Sequence, residues 1–187
     1  MRYKTGDPKK YCNDSYSLDM SATTRELLYQ DNAEFRKCCN GVGSTGGSWW
    51  AALLYHITPN TIWGMDITPA SDGHDVDYSH PTSIAPLSDA ELQAFQAQPN
   101  AWPEWIKAEE RTAATAAYVV AWRAANDRFV GNCRKLAFAR GGWLLLPRLA
   151  RVDKYGLALG TQSAWRSFMA ARQSVAARRF RERRMRP

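Results

Sequence analysis

The stretch Ala70-Ser71-Asp72-Gly73-His74-Asp75-Val76-Asp77-Tyr78 sets a histidine directly before an aspartate, with a tyrosine four residues on. Pro69 stands just ahead of it and His80-Pro81 just behind, so it reads as one short helix. In such a helix His74 and Tyr78 share a face, because residues i and i+4 stack. Asp75 points about a quarter-turn away. A general base and an oxygen ligand for a hard cation would then stand side by side. Asp72, near the start of the helix, suits the positive end of the helix dipole.

Upstream lies a glycine loop, Asn40-Gly41-Val42-Gly43-Ser44-Thr45-Gly46-Gly47. A helix is expected before it, from Ala22 to Cys39, with Thr23 and Glu26 as a capping box and Leu27, Leu28, Phe35 and Cys38 facing inward. Residues 1–20 read as an extended arm. After the glycines come an apolar run, Trp49 to Tyr55, and then a loop with brief extended pieces over 56–69. Residues 80–104 read as an insertion that covers or flanks the site. It contains a second capping box, Ser88 with Glu91, and Trp102, with Trp105 just past its end.

A long Ala-rich helix is expected from about Glu104 to Ala139, inward at Ile106, Ala113, Ala117, Val120, Ala124 and Phe129, with Asp127 in it and a break near Gly131. Gly141-Gly142 ends it. A last helix runs from Arg148 or Lys154 through Trp165, Phe168 and Met169 into an arginine-rich end. The fold expected is mostly α. Residues 1–163 form one helical domain, and 164–187 a basic C-terminal helix or tail.

Charge is concentrated in that tail. The 187-residue chain has a net charge of +7. From Ala164 onward there are eight arginines and one acid, Glu182, so the remainder is neutral. Six of the arginines (Arg178, Arg179, Arg181, Arg183, Arg184 and Arg186) fall in the last ten residues. Such a tail suits an anionic membrane surface, phosphate backbones or an acidic protein surface. The N-terminus lacks the apolar run of a signal peptide, and no stretch approaches the roughly 18 apolar residues of a membrane-spanning helix. The expected setting is synthesis in a cytoplasm, then action at a membrane surface or, on the family resemblance that follows, carriage in a virus particle. Cys12, Cys38, Cys39 and Cys133 are too few and too irregular for a disulfide scaffold, and no CxxC pair points to zinc.

The glycine loop, His74-Asp75-x-x-Tyr78 and the later Asp127-Arg128 resemble, in that order, the phospholipase A2 superfamily. The nearest likeness is to short prokaryotic, parvoviral and phage- or prophage-encoded members. It covers roughly 38–80 and 120–135. The resemblance implies two long antiparallel helices carrying His74 and Asp127, preceded by a glycine-rich metal loop. It implies a calcium-dependent hydrolase that releases a fatty acid from a phospholipid. His74 would draw a proton from water, Asp127 would hold the far ring nitrogen, and Tyr78 would join that network. Asp75 would bind Ca2+ with backbone carbonyls near Cys39, Gly41 and Gly43, and the amide of Gly41 would help to polarise the ester carbonyl. The chain departs from the family where Ser71 and Asn40 stand in place of a usual cysteine pair, which suits a protein folded in a reducing cell.

Plainer readings stand beside these. His74-Asp75 reads also as a surface pair, Asp127 as a salt-bridge partner of Arg123 or Arg128, and Gly41–Gly47 as a flexible turn. His74, Asp75, Asp77 and His80 as transition-metal ligands rank below calcium, because neighbouring positions of one helix converge poorly. A second function class keeps the fold without the activity: a virion or assembly protein that docks other virion proteins through the Trp102–Trp105 loop and the arginine tail. A third is a nucleic-acid-binding protein, ranked lower because no aromatic-basic interleaving accompanies the tail.

Overall fold

In the computed structural model, residues 17–39, 61–79 and 113–172 are described. The glycine loop, the Trp49–Tyr55 run, the 80–104 insertion and the arginine-rich end after 172 lie outside the described residues, as do the expectations placed on them.

The described residues are mostly helical. Six helices and one small hairpin follow in order: α1 (Ala22–Gln30), α2 (Asn32–Cys38), β1 (Thr61–Ile62), β2 (Met65–Asp66), α3 (Thr68–Ser79), α4 (Ala113–Arg140), α5 (Leu145–Leu159) and α6 (Gln162–Arg172). No described helix is long and apolar enough to cross a membrane.

The first expected helix is two. Asp31 takes φ −135° and ψ 66°, outside helical space, and both ends α1 and caps α2. Its N–H donates to the Leu27 carbonyl at 3.1 Å, and its carboxylate accepts from the Glu34 N–H at 3.2 Å. A short acid that bonds the backbone on both sides can stop one helix and start another. The cap of α1 is Ser21, which accepts from the Thr24 N–H at 3.1 Å, and the expected Thr23–Glu26 box does not form the cap. Leu27, Leu28, Phe35 and Cys38 do face the core.

β1 and β2 pair antiparallel, Thr61 with Asp66 and Ile62 with Met65. Their two-residue turn is Trp63-Gly64, both at positive φ (49° and 72°), as a type I′ hairpin requires. Asp66 then accepts from the Thr68 N–H at 2.9 Å and opens α3. Pro69 sits in the first turn, where its missing N–H costs nothing.

α4 is 28 residues long and runs unbroken through Gly131. Gly141 and Gly142 stop it at φ 56° and 75°, a left-handed corner that favours residues without a Cβ. The last expected helix is also two. Gly160 and Thr161 separate α5 from α6, with the Gly160 N–H folded back onto the Gly156 and Leu157 carbonyls.

The inward face of α4 differs from the expected one. Phe129 is buried as expected, but Val120 is 67 % exposed and Ala124 is exposed, whereas Tyr118, Trp122, Ala125, Cys133 and Leu136 are buried. Aromatic rings remove far more apolar surface from water than an alanine stripe does, so the aromatic face takes the core. α3 lies antiparallel along this face: His74 packs on Phe129, and Tyr78, one turn later, reaches back to Trp122 and Asn126. Of the two antiparallel helices, α4 alone is long; α3 has 12 residues.

Two apolar clusters result. One joins α1, α2, the hairpin, the start of α3, the second half of α4 and α5, around Leu28, Phe35, Ile67, Val76 and Val152. The other joins Tyr78 and Trp122 to Trp165, Phe168 and Met169 of α6. The Trp165, Phe168 and Met169 face is therefore core.

Candidate functional site

His74 sits at the seam between the two clusters. Its ring lies 3.9 Å, centroid to centroid, from Tyr78 on one side and 5.2 Å from Phe129 on the other. These contacts fix the imidazole plane, with 11 % of the side chain exposed.

The far ring nitrogen, Nε2, is 3.1 Å from Oδ1 of Asn126. The Tyr78 hydroxyl donates to the same Oδ1 at 2.7 Å. Nδ2 of Asn126 donates to the Leu159 carbonyl at 3.2 Å. The Leu159 carbonyl can only accept, so the amide nitrogen must face it and Oδ1 must face His74 and Tyr78. A neutral His74 therefore carries its proton on Nε2 and presents a lone pair at Nδ1. Burial pushes the Tyr78 phenol up, against the lowering effect of its hydrogen bonds with Trp122 and Asn126. Tyr78 stays a donor as a result.

Nδ1 faces Asp75, whose Oδ1 is 4.0 Å away. The Asp75 side chain is 12 % exposed. The thiols of Cys38 and Cys39 at the end of α2 are pushed up chiefly by burial, with Asp75 among the carboxylates that add to it. Cys39 is held there by bonds from its thiol to the Phe35 carbonyl at 3.1 Å and, longer, to the Asp72 carbonyl at 3.9 Å. The Cys39 end of α2 thus lies beside α3. Gly41 and Gly43 themselves lie outside the described residues, and so does the tail from Arg178 to Arg186. Among the described residues no group of three or more His, Cys, Asp or Glu side chains could hold a metal ion.

Asp127 is not brought to His74. It is exposed, and its neighbour Asn126 occupies the place expected of it. Arg128 turns the other way, to Asp77 and, at 3.6 Å, to Asp19. Asp77 also accepts from Thr24 at 3.1 Å, so the second aspartate of the motif ties α1, α3 and α4 together beside the site. Asp72 is wholly buried in α3 rather than serving the helix dipole at its start.

The register of α4 explains why Asn126 was missed. Taking the small-residue positions 120 and 124 as inward carries 127 inward with them, since these recur at i+4 and i+3. The aromatic register, 118, 122, 125 and 129, places 126 beside the core and 127 in solvent. Tyr118 and Trp122, in register with Phe129, are the signal in the sequence.

A tautomer-fixed histidine with a free nitrogen turned toward a carboxylate can take a proton from water or from a hydroxyl held between them. A neutral amide in the orienting role fixes the ring but contributes less to imidazolium than a carboxylate would. Comparison with family models, curated proteins and solved structures gives no match.

Proposed function

We propose that the chain is a phospholipase A2-like hydrolase that uses His74 as general base on phospholipid esters. The observation that carries this reading is the Asn126 relay: an amide that fixes His74 Nε2–H, accepts from Tyr78 and leaves Nδ1 basic on the Asp75 side. Ester hydrolysis needs a water made nucleophilic and a means of holding the oxyanion. His74 Nδ1 would take the proton from that water. Asn126 would hold the imidazolium in place while the proton resides there. Tyr78 and Phe129 would keep the ring from rotating and exclude bulk water from its faces.

The Asp75 carboxylate suits a hard cation, since carboxylate and carbonyl oxygens are what Ca2+ takes. Asp75 would hold it together with the carbonyl of Cys39 and those of Gly41 and Gly43. When bound, the ion would supply charge stabilisation to the ester oxygen, alongside the Gly41 amide. Source in a phage or prophage is part of the same proposal.

A direct test uses mixed micelles of phospholipid and detergent, with fatty-acid release followed in calcium and after chelation. The proposal expects release that stops on chelation and returns with calcium. Release indifferent to calcium would remove Asp75 from its role, and no release in either condition would leave the virion-protein reading in its place.

A further inference from the structure

The corner between α4 and α5 carries a second feature. The Trp63-Gly64 turn and the corner between α4 and α5 are fastened to each other by Arg148. This buried guanidinium donates to the Trp63 carbonyl from Nη2 at 3.0 Å and Nε at 3.3 Å, and to the Gly141 carbonyl from Nη1 at 2.7 Å. Around that clamp the side chains point outward. Trp143 is 87 % exposed, Leu146 76 %, and Trp63 and Phe138 61 % each.

Trp63 is unusual in two ways at once. Its φ of 49° is a left-handed conformation that an L side chain with a Cβ occupies at a cost. The first position of a type I′ turn favours Asn, which would fit without that cost. Trp63 buries little in exchange. A strained turn position and an exposed ring together point to a contact made outside the chain.

The charge around the corner selects the partner. From Arg134 to Lys154 there are six basic side chains and one acid, Asp153; with Arg148 taken up by the clamp and Arg134 paired with Asp153, Lys135, Arg140, Arg151 and Lys154 leave this part of the chain positive. Exposed tryptophans and leucines flanked by basic residues match the headgroup zone of an anionic bilayer. Indole sits at the boundary of apolar and wet regions, and Lys and Arg meet the lipid phosphates. A rigid clamp would present both tryptophans without an ordering cost at binding.

We propose that this corner, Trp63 with Phe138, Trp143 and Leu146, is a docking surface for an anionic phospholipid bilayer, on which the chain lies without crossing it. The inference goes beyond the hydrolase reading and does not rest on it, since docking here needs neither His74 nor calcium.

The full chain is tested by co-sedimentation with vesicles of ether-linked phosphatidylglycerol in chelator, which cannot be hydrolysed at an ester. Binding is expected, at least about tenfold stronger than to ether-linked phosphatidylcholine. Trp143→Ala and Trp63→Asn are each expected to weaken it about tenfold. Both substitutions leave every arginine in place, so the loss reports the aromatic corner and not the cationic tail. Trp63→Asn should also raise the thermal midpoint, by about 2–4 °C, because it relieves the turn. His74→Ala should bind as wild type does. Failure of wild type to bind phosphatidylglycerol vesicles would overturn the proposal and assign the corner to a protein partner. Undiminished binding by the Trp63→Asn/Trp143→Ala double variant would overturn it as well. Vesicle binding without fatty-acid release from ester lipids would leave docking standing and sink the hydrolase reading alone.

Discussion

Asn126→Ala is the most informative single change in the described residues. It removes three hydrogen bonds: those from the Tyr78 hydroxyl and His74 Nε2 to Oδ1, and that from Nδ2 to the Leu159 carbonyl. A net worth of about 0.5–1.5 kcal/mol for each puts the loss at about 2–4 kcal/mol. In a chain of this size that lowers the thermal midpoint by about 5–15 °C. Asp127→Ala, one residue on but exposed, should stay within about 0.5 kcal/mol of wild type. Guanidinium denaturation of the two variants reads the difference directly. A Tyr78→Phe/Asn126→Ala cycle should return a coupling of about 1 kcal/mol. Nitrogen NMR of the histidines should find neutral His74 protonated on Nε2 in wild type and a mixture of tautomers in Asn126→Ala. If Asp127→Ala proves as costly as Asn126→Ala, or the tautomer is unaffected, the register of α4 and the base assignment both fall.

Asp77→Ala should cost about 2–4 kcal/mol by denaturation, because it strips the partly buried Arg128 of its closest carboxylate and Thr24 of its acceptor. A loss under 1 kcal/mol would mean that the α1–α3–α4 tie is not stabilising. The thiols of Cys38 and Cys133 are both pushed up to about 12, chiefly by burial, from an ordinary value of 9.0. Above pH 9 the unfolded thiols ionise while the folded ones stay protonated. Their contribution is therefore full below pH 9 and is lost as pH rises toward 12. Denaturation midpoints should fall steadily from pH 9 to 11, and a flat profile over that span would contradict the burial of these groups.

The punctuation of the fold was readable before its faces were. Pro69, Gly141 and Gly142 act through backbone geometry alone, and the ends of α3 and α4 fall where they predict. The breaks at Asp31 and at Gly160-Thr161 interrupt stretches whose apolar spacing continues, so periodicity passed over them. On α4 the difficulty was the choice between two stripes. Alanines at 117 and 124 with Val120 keep helical spacing as well as Tyr118, Trp122 and Phe129 do, and only the partners on α3 and α6 decide which is buried. His74, Asp75 and Tyr78 needed no such decision, because they lie within five residues of one another on one helix. Asn126 depended on it, being brought to His74 by packing across 52 positions of chain. The clamp from Arg148 to Trp63 spans 85 positions and left no local pattern to read.

The most direct test of the base assignment compares wild type with His74→Ala in calcium, on the same phospholipid micelles, by initial rate of fatty-acid release. The account predicts release by wild type and a rate reduced at least about a hundredfold in the variant, the low end for loss of a positioned general base. Folding of the variant would be checked by its denaturation curve. Equal release by the two proteins would contradict the account, because the catalytic work would then lie with a group other than His74.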